Sequence, residues 1–375
     1  MEVWMRKILI FVLVLTLILS LAVYVFIRKN MGHGVSVPDP VRIRVKSQLV
    51  CRMVGSELTG DIGIVGTDLG IPVLVHVNGS PKIFFLFGDV VSKRKSGANA
   101  IAYTNYPING CPDLRWFMDD GMYREMWGSL RKDGVDASTP PAGAVEIDGV
   151  LYVYGFRVTH WKKRLQPNDA THGYGVLFKR LGNGEFVETN VSWPVDSKFV
   201  NIAPVSGKLN GKNVVFLFSS GKYRDSPIYL AYVPADKMED LSSYRYFIGL
   251  DDRGNPLWSN RWNDAKPIIN KVKVGELSAI YHPYLKQYLL MFKDYSVNGG
   301  LQIRVAYNPW GPYSKPTKLN PLSPKPSWLK PSWGGLYGGY IVPGSYGKDG
   351  HTLYYVISLW IPYSTFLMRI EIEIP

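Results

Sequence analysis

The stretch IPVLVHVNGSPKIFFLFGD, residues 71–89, decides the fold. Two runs of β-branched and aromatic residues flank Asn78-Gly79, a pair that tolerates the positive φ angles of a tight hairpin turn. The same figure recurs as AGAVEIDGVLYVYGFRV (142–158), APVSGKLNGKNVVFLFSS (203–220), GELSAIYHPYLKQYLLMFKDY (275–295) and GGYIVPGSYGKDGHTLYYVISLW (338–360). The units start near 71, 142, 203, 275 and 338, roughly 60–70 residues apart. Further strand-like runs follow the second, third and fourth units: YGVLFKRLGNGEFVETN, SPIYLAYVP and LQIRVAYNP. A four-strand unit repeated at even spacing predicts an all-β, five-bladed β-propeller over residues 45–375. A two-sheet sandwich is the alternative, but it gives no reason for the even spacing. Beyond the N-terminus one helical stretch is expected, the marginal ADKMEDLSS at 235–243.

Upstream of the repeats, residues 8–27 read ILIFVLVLTLILSLAVYVFI, with no charge in 20 residues. At about 1.5 Å per residue such a helix reaches roughly 30 Å, the thickness of a bilayer's hydrocarbon core. A cleaved signal peptide competes with a retained anchor. The run exceeds the usual signal length, and its small-residue pair, Ser20 and Ala22, lies inside the apolar stretch rather than after it. The expectation is therefore an N-terminal membrane anchor (1–29), a Gly/Pro-marked linker (30–44) and the propeller. Arg6 and Lys7 before the run and Arg28 and Lys29 after it leave orientation undecided by charge. The layout, with one span and then a large domain, suits an extracytoplasmic domain. The sequons at Asn78 and Asn190 would be usable there, and Cys51 and Cys111 would be free to pair; two buried thiols are the other reading.

The formal charge is +13. A basic chain can attract nucleic acid, anionic lipid or an acidic glycan, but no Arg/Lys-rich stripe, helix-turn-helix pattern or zinc-finger spacing is present, so no nucleic-acid partner is expected and lysines dispersed on hairpin tips account for the charge. GxSxG, HExxH and P-loop motifs are absent, and the six histidines lack metal-ligand spacing. No cofactor and no metal are expected.

Carboxylates with apolar or small neighbours stand out against this background. They are Asp68 in GTDLG (66–70), Asp89 at the end of FFLFGD, and Glu276 in GELS (275–278). A carboxylate in such surroundings is costly unless it is paired or functional. Two acids round a pocket are what glycosidic cleavage needs, one to protonate the leaving oxygen and one to attack carbon or activate water. Turn capping is the competing role for Asp68 and Asp89.

GTDLGIPV with FFLFGD resembles the first blade of a five-bladed propeller family, formerly of unknown function, related to glycoside hydrolases that cleave D-arabinan internally, the endo-D-arabinofuranases. The resemblance continues through SPIYLAYVP, SSYRYFIG, GELSAIYHPYLKQYLLMF, IRVAYNPWGPYSKP, GGYIVP and SLWIPYSTFLMRIEIEI, in order, over nearly the whole domain. It implies a catalytic pair of Asp68 and Asp89, with Glu276 as a third acid that positions the sugar or tunes a pKa. Arg304 is a candidate to hold a carboxylate ionised or to bind sugar hydroxyls, with a structural ion pair as the alternative. Tyr340 and Trp310 are candidate sugar platforms, with packing between blades as the alternative, and His172 is a candidate to reach the pocket. The implied partner is a cell-envelope polysaccharide. A non-catalytic carbohydrate-binding or adhesin propeller and a structural envelope or particle protein are the competing functions.

Overall fold

The computed structural model describes Trp4 and residues 39–93, 97–128, 138–162, 169–323, 329–330 and 332–374. The expected anchor over 8–27 lies outside them. No helix among the described residues is long and apolar enough to cross a membrane.

Five antiparallel sheets carry the fold. From inner to outer strand, blade 1 is Ile64–Val77, Ser80–Ser92, Ala100–Asn105 and Arg115–Trp116. Blade 2 is Pro141–Ile147, Val150–His160, His172–Arg180 and Phe186–Ser192. Blade 3 is Asn201–Leu209, Lys212–Ser220, Ser226–Pro234 and Arg245–Leu250, with Ile269–Val274 also pairing with its third strand. Blade 4 is Leu277–His282, Gln287–Asp294, Gly300–Ala306 and Thr317–Lys318. Blade 5 takes Gly334–Ile341, Thr352–Ile361 and Ser364–Glu373 from the end of the chain and its outer strand, Arg44–Arg52, from the beginning. The inner strands neighbour one another in the order of the blades, and that of blade 5 returns to that of blade 1. The ring is therefore closed, and the N-terminal strand fastens it. Apart from Gly249 and Leu250, these blades belong to the compact unit Asp39–Ile248 and Trp258–Pro375. A second unit includes Gly249–Leu257, where Asp251 Oδ1 accepts from the amides of Arg253 and Asn255 at 2.9 and 2.8 Å.

The second strand of each blade explains the unbroken apolar runs. Successive strand side chains point to opposite faces. Phe84 and Leu86 pack toward blade 2, while Phe85 and Phe87 pack toward blade 5. Val215 and Leu217 face blade 2, and Val214, Phe216 and Phe218 face blade 4. Both faces are core, so hydrophobicity does not alternate. Each such side chain contributes about 1.5–3 kcal/mol by leaving water. The turns follow the expected chemistry: Asn78-Gly79, Asp148-Gly149 and Asn210-Gly211 all have paired positive φ angles. The segment 235–243 departs from expectation. It forms two 3-10 turns, Ala235–Lys237 and Leu241–Ser243, because the Asp240 carboxylate takes the Ser242 amide and both following hydroxyls. Cys51 and Cys111 are disulfide-bonded, with Cα atoms 5.8 Å apart. The bond ties the N-terminal strand of blade 5 to the segment after the third strand of blade 1.

Candidate active site

A propeller of this connectivity has one mouth where inner strands begin and second strands end. Asp68 stands at that mouth on a distorted part of the first inner strand. The register with the second strand slips between Thr67 and Leu69 and again between Leu69 and Ile71. Bulges of this kind bend a strand and re-aim a side chain. Leu69 and Gly70 both take left-handed angles, φ 63° and 64°, and the Leu69 amide donates to Ser358 Oγ of blade 5 at 2.9 Å. Gly88 faces the bulge, where a Cβ would collide with Asp68 Oδ1. Gly70 at the bulge and Gly88 before Asp89 thus serve the placement of one carboxylate.

Asp68 and Asp89 line the same cavity, about 800 Å³ in volume. Tyr337 Oη donates to Asp68 Oδ2 at 2.8 Å, while Oδ1 is buried without a hydrogen-bond partner among the described residues. Burial, then the charge of Asp89, pushes the Asp68 carboxyl up to about 7, against the hydroxyls of Tyr337 and Tyr363, which favour the ionised form. Asp89 accepts from the Ser138 hydroxyl, ahead of blade 2. One carboxyl is thus held toward its neutral form beside a hydrogen-bonded partner.

Glu276 lies behind this wall, buried at 6 % exposure. It accepts from Arg224 Nη2 at 2.6 Å, Tyr223 Oη at 2.7 Å and Tyr295 Oη at 3.1 Å. Burial acts to raise its pKa, but the Arg224 charge and hydrogen bond together with the Tyr223 hydroxyl hold it below the ordinary value. Arg224 is in turn enclosed by the rings of Tyr223, Tyr295 and Tyr337, with its guanidinium carbon 4.7, 4.8 and 5.4 Å from their centroids. Glu276, Arg224 and Tyr337 therefore form a packed series that ends on the Asp68 carboxyl.

The remaining expected residues lie elsewhere. Arg304 is on the third strand of blade 4, over Phe292 at 5.9 Å, with Nε donating to Gln302 Oε1 at 3.1 Å. Its place is between strands, not on the cavity wall. Trp310 packs edge-on against Trp258 at 6.4 Å, inside the cluster between blades 3 and 4. Tyr340 is buried on the innermost strand of blade 5 and lines a second space, the central channel of about 430 Å³. That channel is walled by apolar inner-strand residues such as Val73, Ala144 and Val205. Its one acid, Glu146, accepts from the His76 amide and ring. His172 is paired through Nδ1 with Asp196, one residue beyond the cavity-lining Thr171.

Sequence reasoning missed Arg224, Tyr223, Tyr337, Tyr363, Trp161 and Trp360. All but Tyr337 follow the end of a second strand or sit at it, as Asp89 does. Four consecutive polar residues directly after an apolar strand, KYRD at 222–225, were the available signal.

The family described as Domain of unknown function (DUF4185) matches residues 55–369, and the chain belongs to it. No curated protein matches the chain. A candidate hydrolase from Bacteroides ovatus superposes at TM-score 0.58 and 13% identity, over 83% of this chain and 87% of its own. The α-L-arabinofuranosidase PaAbf62A from Podospora anserina, solved with cellotriose, gives 0.48 at 12% identity over 90% and 99%. The GH43_1 enzyme from Xanthomonas citri gives 0.45 at 12% identity over 86% and 89%. The Bacteroides likeness bears on the fold alone, which is the five-bladed propeller.

Proposed function

We propose that this propeller is a glycoside hydrolase acting on cell-envelope polysaccharide, with arabinofuranosidic linkages as the class its family resemblance implies. Asp68 protonates the leaving oxygen, and ionised Asp89 attacks the anomeric carbon or activates a water. The observation that carries this reading is that both carboxylates share one cavity while Asp68 holds its proton up to about pH 7. A carboxylic acid protonated near neutrality can give that proton to an ether oxygen, and its ionised neighbour balances the positive charge that develops on the sugar ring. Glu276 is a positioning residue: with Arg224 it holds Tyr337 against Asp68.

Residues 8–27 tether the domain on the extracytoplasmic side in this proposal. The Cys51–Cys111 bond supports it, since such bonds persist in oxidising compartments. Protease added to intact cells should then cut the domain.

The enzymatic reading is tested by incubating the full-length protein with arabinans and other envelope glycans and measuring released oligosaccharide. Asp68→Asn and Asp89→Asn should each abolish release while leaving the fold intact. Release that survives Asp89→Asn would sink the two-carboxylate mechanism. No release by wild type from any glycan would favour a carbohydrate-binding module.

A further inference from the structure

The charged residues that line the cavity are unevenly committed. Asp169 hydrogen-bonds His160 Nε2 at 2.7 Å, Asp225 pairs with Lys273 at 2.7 Å, and Arg224 pairs with Glu276 at 2.6 Å. Lys162 and Lys222 also line the cavity, yet neither enters an ion pair among the described residues. The chain next to Lys162, KRLQPN at 163–168, supplies no acidic residue to neutralise it. Below about pH 7 Asp68 is neutral as well, so the acids on the wall are Asp89, bonded to Ser138, and Asp169 and Asp225, bonded to His160 and Lys273.

The two lysines share a wall. Lys162 follows Trp161 after the second strand of blade 2, and Lys222 precedes Tyr223 after the second strand of blade 3. The Trp161 and Tyr223 rings meet edge-on at 6.2 Å, and Tyr223 stacks on Phe156 at 5.2 Å. The Lys162 amide donates to Thr171 Oγ1 at 3.1 Å, and the Lys222 carbonyl accepts from the Asp225 amide at 3.1 Å. Both backbones are therefore held, and each lysine is next in sequence to an aromatic residue of the same cavity wall, Trp161 or Tyr223. An aromatic face next to ammonium groups suits a sugar ring that carries an anionic substituent. The Asp68/Asp89 pair comes from blade 1 and the two lysines follow the second strands of blades 2 and 3, so the two sets reach the cavity from different blades.

We infer that Lys162 and Lys222, set beside Trp161 on the cavity wall, form a subsite for a negatively charged sugar substituent, a phosphate or a carboxylate. The substrate is on this account an anionic envelope glycan. The inference rests on the reading that the cavity takes a glycan, though not on turnover.

Binding isothermal calorimetry on the full-length Asp68→Asn protein separates the two claims, because that variant should not consume its ligand. The probes are a neutral arabinofuranosyl hexaose and the same hexaose carrying one phosphate monoester or one carboxylate. At least one charged hexaose should bind about tenfold more tightly than the neutral one at low salt, and the preference should shrink to about threefold at 300 mM salt. The charged ligand that gains identifies the source of the anion. Lys162→Ala/Lys222→Ala should bring the charged and neutral dissociation constants together, whereas Lys162→Arg/Lys222→Arg should keep them apart. Equal affinity for all three probes, no binding of any of them, or a preference that persists in the double alanine variant overturns the subsite. A charge preference in a protein whose wild type releases no sugar would leave the subsite standing and remove the hydrolase reading. Cleavage of neutral arabinan without a charge preference would do the reverse.

Discussion

Replacing Asp68 by Asn should stabilise the folded protein at alkaline pH, although it should abolish activity. The Asp68 carboxyl is raised from 3.8 to about 7 by burial and by the charge of Asp89. Below about pH 3.8 it is protonated in both the folded and unfolded chains. Between 3.8 and 7 the folded chain holds a proton that the unfolded chain releases, so stability falls as pH rises through this window. With those two values the loss integrates to about 2–3 kcal/mol between pH 5 and pH 8, because each tenfold change in an equilibrium constant is worth roughly 1.4 kcal/mol. The Asp68→Asn amide does not titrate, so the variant loses this dependence while keeping the Tyr337 contact. His282 acts with the opposite sign: burial depresses it to about 4, so its contribution is lost as pH falls from about 6.5. His282 is present in both proteins and cancels in the difference. Urea unfolding followed by tryptophan fluorescence at pH 5, 6, 7 and 8 should show the variant gaining on wild type by about 2–3 kcal/mol across the series. Parallel pH profiles for the two proteins would refute the raised carboxyl and, with it, the assignment of Asp68 as the proton donor.

Three further outcomes follow from neighbouring contacts. Tyr337→Phe removes the hydroxyl that favours ionised Asp68, so the alkaline limb of the activity profile should move above pH 7, at a cost in stability of about 1 kcal/mol. Gly88→Ala places a methyl against Asp68 Oδ1 and within 2.8 Å of Leu69 Cδ1, so activity should fall at least tenfold for a destabilisation of only about 1–3 kcal/mol, read by kinetics and urea unfolding on one preparation. Cys51 and Cys111 are separated by 60 residues, so reduction, or Cys51→Ser with Cys111→Ser, should lower stability by up to about 4 kcal/mol in unfolding measured with and without dithiothreitol.

Most of the fold was legible because a propeller repeats one local rule. Asn-Gly or Asp-Gly marks a hairpin, and the strand after it carries an unbroken apolar run in its middle because both of its faces are covered there. The starts inferred near 71, 142, 203, 275 and 338 fall within or beside the five inner strands. The closing strand was not legible. Arg44–Arg52 reads as an ordinary edge segment, and only its pairing with Ser364–Glu373, more than 300 residues away, gives it a role. The 235–243 segment has the composition of a marginal helix, but the bonds that Asp240 makes to its own turn compete with the helix and leave two 3-10 turns.

The site was half legible, for a reason that lies in the same geometry. An acid among apolar neighbours is conspicuous in sequence, and so Asp68, Asp89 and Glu276 stand out as candidates there. An arginine or a tyrosine is not conspicuous, because both residue types are common on surfaces and between blades. Arg224 acquires meaning only where the loop after the second strand of blade 3 brings it against Glu276, which stands at the start of blade 4. Tyr337 does so only where blade 5 meets blade 1. The propeller delivers these groups from four different blades to one mouth, and that convergence is what separates the environments of the carboxylates. Glu276 is kept ionised by Arg224, while Asp68 is kept protonated by burial and by the charge of Asp89, against the pull of the tyrosine hydroxyls. If Arg224 were instead paired with Asp68, that carboxyl would be ionised at neutral pH and could donate no proton. The assignment of the acid therefore depends on which carboxylate Arg224 faces, and no reading of single residues along the chain contains that fact.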